Sequence, residues 1–278
     1  MLPPIANRFV AGEHPATALE HARRLNERDV AAILNLLGEH YDDREPAVED
    51  ATEYRKLIDD IASEELDACI SVKPTQLGLG VGEDVFRELL EDVVSHGADR
   101  GVFVWIDMED HTTTDATLDA FEALAREYNG DVGVCVQANL KRTREDVERL
   151  ADVPGKVRFT KGAYDEPPEI AYQEKAVVDR ELRALLEYAF RNFDGGISVG
   201  SHDPEIIEHA TALYEEYGTD FEVQMLMGVR EDAQFDLATE YDVYQYVPYG
   251  GRWKSYFYRR LMERTENLGF ALRAIVGR

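Results

Sequence analysis

Eight short runs of apolar, largely β-branched residues recur along the chain, at 31–36, 69–72, 102–106, 132–136, 157–160, 196–199, 221–224 and 243–246. Between them lie longer acidic stretches whose apolar positions return every three or four residues, as at 84–96, 116–128, 171–191 and 204–217. The short runs predict buried strands and the longer ones amphipathic helices packed on them. Asp203-Pro204 adds a capping residue followed by proline at a first helical position. Strand and helix alternate from end to end without a linker, repeat or low-complexity tract. This predicts an α/β fold, a (β/α)8 TIM barrel ahead of a doubly wound sheet. Residues 1–278 read as one such domain, with 1–29 as an N-terminal extension carrying a helix at 15–28. The helix after the eighth strand is expected over the C-terminal mouth.

Composition adds a setting for that barrel. Hydrophobic content of 44% and aromatic content of 10% are globular values, so the net charge of −26 does not signal disorder. The acids are spread along the chain, and seven lysines stand against twenty-three arginines. A diffuse carboxylate coat poor in lysine predicts adaptation to high salt, where screening relieves self-repulsion. No extended basic stripe exists, so nucleic acid is not expected as a partner. Cys69 and Cys135 fall inside apolar runs and read as buried thiols in a reducing compartment. With no charged leader and no segment of ~20 apolar residues, the expectation is a cytoplasmic protein.

In a barrel, chemistry sits where strands end. Those ends carry Lys73, Asp107, Gln137, Lys161-Gly162-Ala163-Tyr164, Ser201-His202-Asp203, Gln224 and Tyr246, and strand five carries Arg158 within it. Singly, each has an ordinary reading: Lys73 a loop lysine, Asp107 a helix cap, Gln137 a satisfied core amide, His202 a turn residue. Arg158, between Val157 and Phe159, is harder to explain away, because an inward arginine needs an anion or a hydrogen-bonding partner. Near the C-terminus, Tyr256, Arg259, Arg260 and Glu263 share one helical sector of about 100°. Adjacent guanidiniums make a donor fork for a carboxylate or phosphate, and this basic face stands out in an acidic chain. Gly78-Leu79-Gly80-Val81-Gly82 is not a dinucleotide fingerprint, since Glu83 stands at the third glycine position; it reads as a loop.

Taken in order, Ser71-Val72-Lys73-Pro74-Thr75-Gln76-Leu77-Gly78, Ile106-Asp107-Met108-Glu109, Gln137-Ala138, Arg158-Phe159-Thr160-Lys161-Gly162-Ala163-Tyr164, Ser201-His202-Asp203, Phe221-Glu222-Val223-Gln224-Met225-Leu226 and the closing Tyr-x-x-Arg-Arg-x-x-Glu resemble proline dehydrogenase over about residues 30–270. The resemblance is to a monofunctional, haloarchaeal-like form. It implies an FAD-dependent barrel enzyme that oxidises L-proline to Δ1-pyrroline-5-carboxylate, the first step of proline catabolism. By position it implies that Lys73, Arg259 and Arg260 grip the proline carboxylate. Asp107 and Arg158 form the catalytic pair, with Arg158 near flavin N5. Met108, Gln137, Lys161, Gly162, Ala163, Ser201 and His202 contact the flavin. Tyr246, Tyr256, Tyr164 and Leu226 wall the ring pocket. Two positions depart from the family: Asn139 where tyrosine is common, and Ser201 where threonine is usual.

The implied partners are L-proline, an electron acceptor such as a quinone or another redox carrier, and a separate pyrroline-5-carboxylate dehydrogenase acting downstream. A membrane quinone would require peripheral docking at the inner face of the membrane. No metal is expected. Two rival readings are a metal-dependent hydrolase using Asp107, Glu109, His111 and His202, and a non-catalytic acidic cation-binding protein. The first lacks an HxH pair or a third strand-end histidine. The second lacks EF-hand spacing and leaves the arginine pair unexplained.

Overall fold

The computed structural model describes residues 6–254 and 256. Eight parallel strands close into a barrel in chain order: β1 (Ala31–Leu36), β2 (Ala68–Val72), β3 (Val104–Ile106), β4 (Val132–Gln137), β5 (Lys156–Thr160), β6 (Ile197–Gly200), β7 (Phe221–Leu226) and β8 (Asp242–Tyr249). Helix α1 (Pro15–Asn26) precedes β1. After β1 to β7 come α2 (Arg44–Ser63), α3 (Glu83–Arg100), α4 (Thr114–Glu127), α5 (Thr143–Leu150), α6 (Lys175–Asn192), α7 (Pro204–Tyr217) and α8 (Glu231–Leu237). Sequence periodicity and structure agree on every strand to within a few residues. Asp203 caps α7 as its position implied, accepting from the Glu205 amide at 3.1 Å.

One boundary differs in an informative way. The apolar spacing predicts a helix from 171, yet α6 begins at Lys175. Residues 167–172 instead clasp the loop after β4: the Lys141 amide donates to Ile170 O at 2.9 Å and the Tyr172 amide to Asn139 O at 2.8 Å. These nonlocal bonds satisfy the backbone outside a helix. They also place Gly162, at φ +107, against Asn139, where an added Cβ would come within 2.1 Å of the Asn139 side chain. Asparagine at 139 thus fits a strand-end loop that only glycine can turn.

Strand alternation decides what enters the barrel. In β5, Val157 and Phe159 are buried under the helices, while Lys156, Arg158 and Thr160 point inward. On β3 the inward residue is Trp105, which packs with Ile33 and Cys69. It has room because β4 offers Gly133 opposite, where a Cβ would meet the indole at 2.6 Å.

Helix α1 occupies the outer wall beside β1 and β8, burying Ala18, Leu19, Ala22 and Leu25. His21 of α1 hydrogen-bonds the Gln245 amide oxygen of β8 at 2.7 Å. The outer slot in which a barrel's last helix would pack is therefore already filled. Beyond β8, Trp253, Lys254 and Tyr256 are helical, and Tyr256 is buried facing the mouth. Arg259 and Arg260, and with them the helix expected over the mouth, lie outside the described residues. Among the described residues, no helix is long and apolar enough to cross a membrane.

Candidate active site

The carboxylate of Asp107, at the end of β3, is the centre of the mouth. It is 8% exposed and accepts four hydrogen bonds. One oxygen takes the Ser71 hydroxyl at 2.6 Å and the Arg158 guanidinium; the other takes Lys73 Nζ at 2.7 Å and the Tyr246 hydroxyl at 2.7 Å. The donors come from β2, the loop after it, β5 and β8, so barrel closure alone brings them together. Burial by itself would raise the Asp107 carboxyl. The Lys73 ammonium and Arg158 guanidinium outweigh it, with hydrogen bonds from Lys73 and Ser71, and hold the group well below the usual carboxylate range. Burial would discharge Lys73, but the Asp107 charge holds its pKa well above the ordinary lysine value. Burial raises the Tyr246 phenol far above its usual range, with Asp107 adding to the effect, so this donor stays neutral.

Arg158 is 5% exposed, and its second nitrogen donates to the Gln224 amide oxygen at 3.0 Å. Its guanidinium lies 4.9 Å from the Trp105 ring centroid and 5.8 Å from that of Tyr246. Trp105, Ser71 and Gln224 all hold this centre. The sequence marks Gln224 directly, at the end of its apolar run; Ser71 carries only an indirect sign, standing two residues before Lys73, and Trp105 carries none.

A cavity of about 760 Å3 opens above this centre, bordered by Lys73, Asp107, Arg158, Tyr246 and Tyr256. Met108, Gln137, Lys161, Gly162, Ala163, Ser201 and His202 face the same cavity, as do Tyr164 and Leu226. Gln137 already uses both ends of its amide: it donates to Glu109 O at 2.8 Å and accepts from the Ala163 amide at 3.2 Å, fixing the loop after β5. Lys161 is paired with Asp179 at 2.6 Å and with Asp203 at 2.7 Å. The Leu226 amide donates to His202 Nε2 at 3.2 Å, which leaves the neutral ring's proton on Nδ1. Ser201 accepts from the Asp203 amide at 3.1 Å.

The hydrolase reading does not survive this geometry. Glu109 is wholly buried and bound by the Thr75 amide and hydroxyl, each at 2.7 Å. His111 turns away to Glu166 at 2.5 Å. Among the described residues, the one group spaced to hold a cation is Glu39, His40 and Glu109, which contains neither Asp107 nor His202.

A buried carboxylate clamped by two cations and a phenol at the mouth of a parallel barrel, under a cavity of this size, defines a small-molecule barrel enzyme. The sequence pattern described as Proline dehydrogenase matches residues 18–273, and this chain belongs to that family. It is 34% identical to Proline dehydrogenase 1 of Bacillus subtilis subsp. natto, over 98% of this chain and 90% of that protein. It is 35% identical to Proline dehydrogenase of Deinococcus radiodurans, again over 98% and 90%. Proline utilization A (PutA) of Bdellovibrio bacteriovorus, in a structure inactivated by N-propargylglycine, matches with a TM-score of 0.86 and 25% identity. That match covers 94% of this chain, which spans only 32% of the PutA chain. PutA of Corynebacterium freiburgense shares the fold, with a TM-score of 0.79 over 95% of this chain and 31% of its own. The reaction class follows from the family: oxidation of proline, the opening step of its catabolism.

Proposed function

We propose that the chain binds FAD and converts L-proline to Δ1-pyrroline-5-carboxylate in the cavity above Asp107. The observation that carries this reading is the Asp107 cluster, which holds Lys73, Arg158 and Tyr246 in one orientation at the cavity floor. The residues present fit the cofactor. The cavity lies within the ~300–1,000 Å3 typical of ligand sites, and Arg158, Lys161 and Lys175 border it with positive charge. The turn at Gly162 brings backbone to its edge without a side chain. Bound FAD would supply the two-electron oxidant, with N5 as the hydride acceptor for proline C5.

This chain's own residues do the rest. Lys73, with Arg259 and Arg260, takes the proline carboxylate, fixing the ring and its C5. Tyr246 and Tyr256 wall the ring and exclude water. Arg158 places a permanent positive charge where negative charge develops. Met108, Gln137, Lys161, Gly162, Ala163, Ser201 and His202 frame the cofactor. Gln137 acts by fixing Ala163, and Lys161 exchanges one carboxylate partner for the cofactor. Asp107 is an anchor rather than a proton acceptor. Against its burial, the Lys73 and Arg158 charges hold its pKa below the usual carboxylate range, and a general base works best with a pKa near the operating pH. On this reading the amine enters the site already neutral.

The electrons pass to a quinone or another redox carrier, and a separate pyrroline-5-carboxylate dehydrogenase oxidises the product further. The protein works in a salt-rich cytoplasm, docking peripherally at the inner membrane face when the carrier is a membrane quinone. The absorbance spectrum of the purified protein tests the central reading. Flavin bands near ~450 nm that bleach on adding L-proline are expected. A protein that stays colourless after incubation with FAD would refute it.

A further inference from the structure

We propose that Glu222, deep in the barrel, is a positioning residue for Arg158, acting through the side-chain amide of Gln224. The inference rests on the reading of Arg158 as the cation beside the cofactor. Gln224 has a chemically ambiguous side chain, with an acceptor and a donor of nearly equal size. Its amide nitrogen donates to the Glu222 carboxylate at 2.7 Å, and a carboxylate can only accept. The oxygen is therefore turned toward Arg158, which donates to it at 3.0 Å. Reversing the amide would point two donors at a guanidinium and set the amide oxygen against a carboxylate oxygen of Glu222.

Glu222 is itself fixed. It is 5% exposed, and Lys156 meets its carboxylate at 2.5 Å. The result is a line of alternating charge down the barrel: Asp107, Arg158, the neutral Gln224, Glu222 and Lys156. Two strands build it from i,i+2 pairs, Lys156 and Arg158 on β5, Glu222 and Gln224 on β7. These pairs must reach across β6, which offers only Ser198 and Gly200 on that face; a Cβ on Gly200 would lie 3.3 Å from Arg158 Cγ. Nothing in the substrate grip requires Glu222, since it touches neither Lys73 nor Tyr246. Its hydrogen-bonded path to the cavity runs through the amide it orients.

Glu222→Gln tests this, because a glutamine there can donate as well as accept and frees Gln224 to turn over. The expected result is a fall in kcat per bound flavin of about 10- to 100-fold, the loss of one charge-assisted hydrogen bond, with KM for L-proline unchanged. The midpoint potential of the bound flavin should move negative; the lost carboxylate charge alone would move it positive, so the sign reports the loss of the guanidinium's placement. In a Gln224→Met background, Glu222→Gln should lower kcat no further and give no additional negative shift. The inference is overturned if kcat and potential stay at wild-type values, or if the loss is undiminished in the Gln224→Met background. Should the single variant fail to fold because Lys156 is stranded, Glu222→Gln/Lys156→Met removes both charges and is measured instead. A wild-type protein that binds no FAD would count against the proposed function, not against this coupling.

Discussion

Replacing Asp107 with asparagine is the sharpest test of the site. The substitution keeps the shape but removes a charge shared by Lys73 and Arg158, whose side chains are only 16% and 6% exposed. It also puts an NH2 group where an oxygen accepted protons, so one donor pair, Ser71 with Arg158 or Lys73 with Tyr246, must face another donor. Removing one partner of a buried ion pair costs about 3–5 kcal/mol. Lys73 keeps some access to water, so the lower end, about 3 kcal/mol, applies here. At about 2–4 °C per kcal/mol for a domain approaching this size, the melting temperature should fall by roughly 6–12 °C. Calorimetry of the cofactor-free protein measures this without reference to activity.

Acid titration gives a second reading of the same variant. The folded pKa of Asp107 lies below its unfolded value, so its stabilisation is fully present above about pH 4 and is lost as pH falls toward the folded value. The asparagine variant should lack that part of the acid-induced decline. Adding Lys73→Met should return part of the lost stability, by removing one stranded cation, without returning turnover. A single variant that melts with the wild type and still oxidises proline would show that the cluster is not the centre of the site.

Three further outcomes are expected. Gly133→Ala drives a Cβ to 2.6 Å from the Trp105 indole, and should cost about 1–3 kcal/mol with a changed near-ultraviolet dichroism of tryptophan; an unaltered spectrum and melting curve would contradict the packing described for β3 and β4. Arg259→Ala should raise KM for L-proline far more than it lowers flavin content, and loss of flavin at unchanged KM would remove the arginine from the substrate grip. Because the chain carries −26 with few lysines, its melting temperature should climb between low and molar salt; a flat curve would end the high-salt reading.

Much of the barrel was legible because its causes are local. The run of buried residues in β4 and the alternation of Lys156, Arg158 and Thr160 with Val157 and Phe159 are properties of neighbours along one strand. Asp107, Lys73 and Tyr246 could be marked as candidates because strands in such a fold end on one face. The start of α6 was misread for the converse reason. Its apolar spacing suits a helix from 171, but backbone bonds to Asn139 and Lys141, distant in sequence, claim that stretch first.

What the chain determined by itself was its order of strands and helices, the face on which each polar group falls, and its family. Which groups meet was decided only by closure of the barrel. Asp107 finds donors as far along the chain as Tyr246, Lys161 is matched by Asp179 and Asp203, and Gln224 takes one orientation because Glu222 stands beneath it. Periodicity acts over a few residues, whereas pairing inside the barrel depends on strand stagger and on gaps left by Gly133 and Gly200. The place of Tyr256 follows the same rule: α1 fills the wall beside β8, and Tyr256 borders the cavity at the mouth, where volume is still open.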